Sequence, residues 1–487
     1  MKPWRAPTHT FRETDQEFTV THQPPSTAST PTPPPLQPER LTLGRRLGYG
    51  VGDFAFVALW QGCALFLLYF YTDVLGLPPL LAGAIYLIGM AWDAVSDPLI
   101  ASWAERRARQ DGGYAHLIGL SALPAGLSFT LVFTQPFDGT ALIALWALVT
   151  HLAFRTAFTC ASMPYNALPA RLTPNGHERS ALSATRVVFA GLGGLMVAVT
   201  IPAIAAASGH AIAALAIGLV AGLVLLLCAR LMRIAPPLPP TSGPSTLTAD
   251  LRGLGSATRQ NRPFQALLVL MLLGTLGYGM FTQSLLYLAN HVLQQPDLVP
   301  LILATPVLTM IVAAPAWMML AARTSKRLTM MCGLGLAALG YAALGLAPTT
   351  PPGAALIAIA VIGTGSAAVP VMFWSMLPDV IDHGHARSGT RVEARAFGLA
   401  TFVQKVTAGL TALFVGGLLA LSGYAPDAVT GEALVTIRLM ASWLPAVFTL
   451  AMIAVIRGYP IDQASHASNL KKIAADAETA SATRTGG

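Results

Sequence analysis

The chain has 487 residues, of which 54% are hydrophobic and only 11% are charged, and its mean hydropathy is +0.59. Soluble globular domains carry about 25% charged residues, so this composition excludes an ordinary soluble protein. The formal net charge of +8 does not indicate nucleic-acid binding, because the basic residues lie in alternate loops beside long apolar segments.

These apolar segments have about 20 residues or more, which is the length that an α-helix needs to cross a hydrocarbon core of about 30 Å. Twelve such spans occur, with the approximate bounds 47–71, 80–104, 117–135, 141–168, 183–207, 211–232, 264–290, 298–321, 328–347, 354–377, 396–421 and 435–456. Within lipid the backbone must satisfy its own hydrogen bonds, so the sequence predicts an all-α membrane protein with twelve transmembrane helices.

Polar segments divide the chain. Residues 1–42 are rich in Pro, Thr and Gln and are predicted to form a disordered cytoplasmic tail, and residues 458–487 form a second cytoplasmic tail. Residues 233–262 carry five prolines and form a predicted cytoplasmic linker between the segments 43–232 and 263–457, which contain six spans each. Two six-helix bundles around a central cavity are the layout of the major facilitator fold.

The loops between the spans alternate in charge. Arg106, Arg107 and Arg109 follow the second span, and the loops after the other even-numbered spans also carry arginines. The opposite loops carry acids such as Asp138 and Asp297, without Lys or Arg. Because Lys and Arg are enriched in cytoplasmic loops, this pattern predicts a multi-pass protein of the cell (inner) membrane with both termini in the cytoplasm.

The first span contains one acidic residue, Asp53, near its cytoplasmic end. Ionisable residues inside a span usually face the bundle interior, so Asp53 is a candidate gate residue, and a helix–helix lock is the structural alternative. The segment Gly50–Asp53 also matches the G-x-G-D pattern of intramembrane aspartyl proteases. This enzyme alternative is remote, because the number of spans differs and because the acid pair described next lies on one helix instead of two.

The second span contains two acids, Asp93 and Asp97, four residues apart. Residues at this spacing share one helix face, with Cβ atoms about 5–6 Å apart. Each acid at the bilayer centre costs about 2.5–3.5 kcal/mol on insertion scales, and two neighbouring carboxylates ionise together only when a cation or a shared proton relieves them. The pair therefore predicts a site for a monovalent coupling cation, Na⁺ or H⁺. A packing pair with Lys405 of the eleventh span is the structural alternative.

Hydroxyl groups near this pair are candidate ligands of the cation. Ser96 lies between the two acids, and Thr159 lies in the fourth span. Because hard cations prefer oxygen ligands, both residues are predicted to complete the site if the second and fourth spans meet.

The fourth span carries Arg155, Thr159, Ser162 and Asn166 at helical spacing, which forms one polar stripe. We expect this stripe to line a cavity, although packing against a partner helix would also explain it. A guanidinium pairs bidentately with a carboxylate or phosphate, so Arg155 is predicted to bind an anionic group of the solute. An internal salt bridge of Arg155 with Asp93 or Asp53 is the alternative.

Other side chains are candidates for solute binding. Arg186 and Lys405 are basic residues inside the fifth and eleventh spans. Six aromatic and amide residues could provide the stacking and hydrogen bonds that are typical of sugar sites: Trp60, Gln61, Gln283, Tyr287, Trp374 and Gln404.

Charged residues crowd around the cytoplasmic end of the tenth span. They include the predicted gate residues Asp379, Asp382, Glu393 and Arg395. Ion pairs among such residues can close one side of a cavity and break when it opens, whereas a solvated loop is the alternative reading.

Several motifs occur together and in order: Tyr49–Phe54, Tyr71–Val74, Trp92–Pro98, Pro164–Leu168, Asp379–Glu393 and Gln404–Lys405. With this order and spacing, residues 43 to 457 resemble the glycoside–pentoside–hexuronide:cation symporters, of which the melibiose permeases are the best-known members. The resemblance implies a major facilitator fold that transports a sugar with Na⁺, H⁺ or Li⁺. It places Asp93, Ser96, Asp97 and Thr159 at cation-site positions, and Arg186 and Lys405 near the sugar and the ion.

The chain also departs from that family. Melibiose permeases hold galactosides with an aspartate in the first span and an aspartate and a tryptophan in the fourth, where this chain has Val57, Ser162 and Asn166. Ser96 replaces an asparagine, and Arg155 is an addition. The resemblance therefore extends to the coupling site but not to the galactoside. A related vertebrate branch transports lysophospholipids with Na⁺, so a lysolipid or another anionic amphiphile is an alternative substrate.

Together these patterns predict a secondary active transporter, not an enzyme. Cation binding at Asp93 and Asp97 prepares a polar cavity, the solute binds, and the loaded or empty protein changes between two access states. The expected partners are a monovalent cation, a small sugar-like solute and membrane lipid. We expect no cofactor, no metal beyond the coupling ion and no nucleic acid. A sensor that binds its solute without transport is a further alternative.

Overall fold

The computed structural model describes residues 41–110, 113–173, 176–233, 261–347, 351–388, 393–462 and 465–473 together with Ala475. The predicted tail 1–42 and linker 233–262 therefore lie largely outside the described residues, whereas half of the tail 458–487 is described and is helical over 465–473. The regular structure within the described ranges is helical and includes no strand, which confirms the all-α prediction.

Twelve helical spans in the described chain are long and apolar enough to cross a membrane. In chain order they are α1 Leu43–Val74, α2 Pro79–Arg109, α3 Tyr114–Val132, α4 Thr140–Ala167, α5 Ala181–Ser208, α6 His210–Leu231, α7 Arg262–Val292, α8 Pro296–Arg323, α9 Lys326–Leu346, α10 Gly353–Arg387, α11 Arg395–Leu421 and α12 Gly431–Arg457. This count confirms the prediction, and the chain is a multi-pass membrane protein. The structure extends α10 from the predicted residue 377 to Arg387, because the polar residues that follow the apolar segment continue the helix.

The two halves of the chain use equivalent helix contacts. In the first half α1 packs against α5 and α6, and α3 packs against α4 and α6. In the second half α7 packs against α11 and α12, and α9 packs against α10 and α12. The halves meet along α2 with α11 and along α5 with α8, which are corresponding pairs of a two-fold related arrangement.

Helices α1 and α7 both end in a π-helical turn, at Phe70–Val74 and Leu288–Val292. The two turns meet: the hydroxyl groups of Thr72 and Tyr287 lie 2.8 Å apart, and His291 Nε2 lies 3.0 Å from Asp73 Oδ1. We call this group, which also includes Tyr69, Asn290 and Tyr424, the α1–α7 closure. It joins the two halves at the end of the bundle opposite the basic loops.

Helices α2 and α11 approach each other through glycines at the same end of the bundle. A Cβ atom on Gly83 would lie 2.6 Å from the carbonyl oxygen of Ala412, and one on Gly416 would collide with the carbonyl oxygen of Pro79. Small residues let helix backbones approach closely in lipid. The contact holds α2 and α11 together and positions the polar residues that follow on α2 against α11.

Candidate functional site

The two acids of α2 meet a threonine of α4. Thr159 Oγ1 lies at hydrogen-bond distance from both carboxylates, 2.8 Å from Asp93 Oδ1 and 3.1 Å from Asp97 Oδ1. Asp93 is fully buried and the Asp97 side chain is 18% exposed. The structure therefore brings Asp93, Asp97 and Thr159 together as the helical spacing indicates.

Lys405 of α11 bridges these two acids from the second half of the chain. Its Nζ lies 2.9 Å from Asp93 Oδ2 and also pairs with Asp97 Oδ2, and its side chain is 14% exposed. In this conformation Lys405 supplies one positive charge to the two acids and Arg155 supplies a second near Asp93, so the packing pair with Lys405, the structural alternative, is present. A coupling cation at these carboxylates has to compete with Lys405.

Ser96 lies on the same helix as the acid pair and is buried. Its hydroxyl donates to the backbone carbonyl oxygen of Asp93 at 3.3 Å. The lone pairs of the hydroxyl oxygen remain available as acceptors. Its role as a cation ligand stays a prediction.

Arg155 of α4 is buried next to Asp93. Its side chain is 1% exposed, and Nη1 lies 4.0 Å from Asp93 Oδ2. Its Nε donates to Nε2 of His151 at 3.1 Å, and its guanidinium lies over the indole ring of Trp60, 5.0 Å from the centroid. In this conformation Arg155 makes the internal salt bridge with Asp93 that was the alternative, and its contact with an anionic solute stays a prediction.

His151 is a member of this cluster that the sequence did not indicate. It is fully buried on α4, and its ring packs against Tyr86 with the centroids 5.5 Å apart. A lone histidine in an apolar span carries no pattern that marks it. The structure shows that it orients the guanidinium of Arg155.

Asp53, Arg186 and Asn166 form a second polar cluster that joins α1, α4 and α5. Arg186 pairs through Nε and Nη2 with the Asp53 carboxylate, and its Nη2 also donates to Asn166 Oδ1 at 3.0 Å. The guanidinium stacks over the rings of Tyr49 and Tyr165. Asp53 thus makes a contact between helices, which was the structural alternative to its role as a gate residue. All three residues lie within the first half.

The predicted gate residues at the end of α10 lie in the second half. Asp379 accepts a 2.7 Å hydrogen bond from Lys326, which joins α10 to α9. Asp382 follows on α10, whereas Glu393 and Arg395 begin the next helix, Glu393–Leu421. The Asp379–Lys326 pair lies within one half, and the gate role of these residues stays a prediction.

A cavity of about 320 Å³ lies between α1 and α2 of the first half and α7 to α12 of the second. Five of the six predicted aromatic and amide residues line it: Trp60, Gln61, Gln283, Trp374 and Gln404. The sixth, Tyr287, belongs to the α1–α7 closure instead, because α7 extends past the cavity before its π turn. The lining also includes residues that the sequence did not indicate, among them Tyr86 and Tyr278.

Several predicted solute residues lie outside this lining, namely Arg155, Ser162, Asn166, Arg186 and Lys405. Ser162 is buried on α4, and the other four are engaged in the two polar clusters. In this conformation the polar stripe of α4 makes the helix contacts that were the alternative, and its role in solute binding stays a prediction. Trp374 differs from these five residues, since its indole lines the cavity and stacks on Phe397.

Asp93, Asp97, Arg155 and Lys405 form a charged cluster. This charged cluster adjoins the cavity wall. Trp60 lines the cavity and lies against Arg155. Gln404 lines the cavity and is followed in sequence by Lys405, which pairs with both acids. A change in the ion pairs of Asp93 and Asp97 can therefore alter the cavity wall, either from Arg155 to Trp60 or from Lys405 to Gln404.

Residues 48–463 of the chain match the family of MFS/sugar transport proteins. The chain belongs to this family. Membership confirms that the protein is a transporter and not an enzyme, so the protease alternative is set aside. The predicted resemblance to glycoside and pentoside cation symporters is confirmed by relatives of this kind.

One such relative is the putative glycoside/cation symporter YagG of Escherichia coli, which is 24% identical over 439 residues and covers 87% of this chain and 93% of its own. Another is the sodium-dependent lysophosphatidylcholine symporter 1 of Gallus gallus, which is 25% identical over 484 residues and covers 89% and 90%. The structure is similar to the crystal structure of the nucleoside transporter NupG, with a TM-score of 0.63, 14% identity and coverage of 85% of this chain and all of the other. This likeness confirms the major facilitator fold.

Proposed function

We propose that this transporter is a symporter that couples a monovalent cation, Na⁺ or H⁺, to the uptake of a sugar or glycoside-like solute. The observation that supports it best is the contact between the charged cluster and the cavity wall at Trp60 and Gln404. A relative named as a glycoside/cation symporter supports the same function. The protein acts in the cell (inner) membrane with both termini in the cytoplasm.

Competition between the cation and Lys405 provides the coupling. A cation that binds Asp93, Asp97 and Thr159 takes over carboxylate oxygens that pair with Lys405 in this conformation. When the ammonium moves away, the adjacent Gln404 moves in the cavity wall. Cation binding therefore changes the site that the solute meets, and reciprocally the solute changes the affinity for the cation.

The conformation described here is one of two access states. The α1–α7 closure and the glycine contact of α2 with α11 close the end of the bundle opposite the basic loops. With basic loops in the cytoplasm, this is the state that is closed to the outside. The other state requires these contacts to separate while α2 and α11 move relative to each other.

Uptake in proteoliposomes tests this function. We expect a Na⁺ or H⁺ gradient to drive accumulation of a sugar or glycoside by the wild-type protein, and Asp97→Asn to abolish it while leaving solute exchange partly intact. Asp138→Asn, an exposed acid in the loop after α3, is the control and should transport normally. Full accumulation against a gradient by the Asp93→Asn/Asp97→Asn double variant would refute the coupling scheme.

A lysolipid is the second candidate solute, which the lysophosphatidylcholine symporter among the relatives supports. The apolar side chains of the cavity, such as Met271 and Met452, could contact an acyl chain. Thermal-shift measurements on the purified protein with sugars, uronides and lysolipids, each with and without Na⁺, separate the two candidates. Stabilisation by lysolipids alone would replace the sugar proposal.

A further inference from the structure

The cavity lining contains no charged side chain among the described residues. The nearest basic groups, Arg155 and Lys405, are paired with Asp93 and lie outside the lining. A carboxylate or phosphate in the cavity would therefore lack a counter-charge, and an unpaired charge in an apolar environment has a large free-energy cost. The lining disfavours hexuronides and phospholipid head groups.

The polar capacity of the cavity comes from amides. Gln283 is only 5% exposed, and its Oε1 has no hydrogen-bond partner in the described part of the chain. By contrast, the lining hydroxyls of Thr282 and Thr449 donate to carbonyl oxygens of their own helices, at 3.0 and 2.8 Å. A buried acceptor without a partner costs about 1–3 kcal/mol, and a donor on the solute would recover it once the amide rotates toward the cavity. An amide both donates and accepts, as a sugar hydroxyl does.

The α7 wall of the cavity changes in polarity along its length. Helix α7 lines it from Leu270 to Gln283, a distance of about 20 Å at 1.5 Å per residue. The lining residues of α7 are apolar at the basic-loop end, with Leu270 and Met271, and polar at the other, with Thr282 and Gln283. A solute along α7 therefore meets apolar side chains at one end and polar side chains at the other.

The apolar end is a continuous surface. Met271, Leu334, Phe373 and Met452 belong to one cluster of buried apolar side chains and also line the cavity. A free monosaccharide that filled this end would bury hydroxyl groups without partners. A flat or branched apolar group fits it, because methionine side chains adapt to irregular shapes.

We propose that the cavity selects an uncharged glycoside with an apolar aglycone, such as an aryl or alkyl group. The sugar lies at the Trp60 and Gln283 end, and the aglycone lies against Met271 and Met452. This inference rests on the proposed symport and narrows its solute. Hexuronides and lysophospholipids are excluded as good substrates.

Matched probes test the selectivity. They are the phenyl α- and β-glycosides of glucose, galactose and xylose, the corresponding free sugars, and phenyl β-glucuronide, measured by thermal shift and by competition in proteoliposomes. We expect at least one neutral phenyl glycoside to bind ten or more times tighter than its free sugar and than phenyl glucuronide. The proposal would be overturned if no neutral phenyl glycoside binds, if a free sugar binds as tightly as its phenyl glycoside, or if phenyl glucuronide binds more tightly than the neutral glycosides.

Two variants locate the two ends of the solute. Gln283→Leu should weaken the bound phenyl glycoside tenfold or more, while Thr305→Val on α8, outside the lining, should not change it. Met452→Gln should reduce the advantage of the phenyl glycoside over the free sugar, and the volume-conserving Met452→Leu should keep it. If Gln283→Leu does not fold, the two Met452 variants still test the proposal. It is contradicted if Met452→Gln binds the phenyl glycoside more tightly than the free sugar by the same factor as the wild-type protein.

The same probes separate this inference from symport itself. Cation-driven uptake of phenyl glucuronide in preference to phenyl glucoside would leave symport intact and overturn the selectivity. Tight binding of neutral phenyl glycosides without any cation-driven uptake would support the selectivity and refute symport.

Discussion

The guanidinium of Arg155 lies 5.0 Å from the centroid of the Trp60 indole ring, and the same ring lines the cavity. A desolvated cation–π contact of this kind contributes about 2 kcal/mol. We therefore expect Arg155 to be a positioning residue that affects the solute through Trp60 and the acid pair through Asp93. This arrangement distinguishes it from a residue that binds the solute directly.

We expect Arg155→Gln to weaken the uptake of neutral and anionic solutes by the same factor, about tenfold. The reason is that the substitution removes the support of Trp60 and the counter-charge of Asp93, while the cavity lining stays uncharged. Competition by phenyl glucoside and phenyl glucuronide measures both factors. Arg155→Lys, which keeps a charge near Asp93, should lose less. A selective loss for the anionic probe would show that Arg155 contacts the solute.

The pair of Asp97 and Lys405 should give a large coupling energy in a double-mutant cycle. Both side chains are more than four-fifths buried, and removal of one partner of a buried ion pair costs about 3–5 kcal/mol. We expect Asp97→Asn and Lys405→Gln to destabilise the purified protein strongly, and the double variant to be destabilised by much less than their sum. Unfolding in detergent measures the cycle. Additive effects would mean that the pair does not form in the resting protein.

Gly416 and Gly417 provide a matched test of the α2–α11 contact. A Cβ on Gly416 collides with the Pro79 carbonyl oxygen, whereas one on Gly417 has its nearest neighbour, Leu80 Cδ1, at 3.9 Å. Overpacking of a tight contact costs about 1–3 kcal/mol, so Gly416→Ala should favour the state that is open at the α1–α7 closure. In a Cys332→Ser background, an impermeant maleimide should label a cysteine at Thr282 faster from that side. Gly417→Ala should label as the parent does, and identical rates in both variants would contradict the prediction.

Tyr424 should stabilise the α1–α7 closure over a wide pH range. Its hydroxyl donates to Asp73 Oδ1 at 2.6 Å, and burial together with the nearby Asp73 carboxylate raises the pKa of Tyr424 well above its usual value of about 10. Because a raised pKa favours the protonated donor, the contribution is complete below about pH 10 and is lost as the pH rises through the folded-state pKa.

We therefore expect the labelling rate of Thr282→Cys, divided by the thiolate fraction of that cysteine at each pH, to stay constant between about pH 7 and 9 in the parent. Tyr424→Phe should raise it at every pH, because a hydrogen bond to a charged group contributes about 1.5–3 kcal/mol. Tyr459→Phe is the control, since the Tyr459 hydroxyl lies beyond α12 at the other end of the bundle. Parent-like labelling of Tyr424→Phe would show that this hydrogen bond does not keep the halves together.

The sequence was sufficient for the span count and for the acid pair. Both follow from local rules, namely the length of an apolar helix and the shared face of residues four apart. The contact of Lys405 with Asp97 connects residues 308 positions apart, and its geometry depends on how α11 is rotated against α2. The sequence analysis included this contact as the structural alternative to a cation site, and the packing of α2 against α11 forms it.

The polar stripe of α4 shows why the solute residues were harder to predict. Its residues do share one helix face, but that face meets different neighbours along its length. Thr159 reaches α2, Arg155 reaches Trp60 on α1, and Asn166 reaches Arg186 on α5. A one-dimensional pattern shows that a face is polar but does not show which helix covers it. The cavity amides, such as Gln283, were found because an amide in an apolar span needs a partner.

The ammonium of Lys405 pairs with two acids of the other half and is covalently attached to α11. A carrier that has released its cargo must still reorient, and bare carboxylates at mid-membrane would oppose that step. In the proposed symport cycle, Lys405 and Arg155 together balance Asp93 and Asp97, so the empty protein reorients without taking an ion from either compartment. A positive charge that is covalently bound cannot dissociate, and in that cycle it cannot dissipate the gradient.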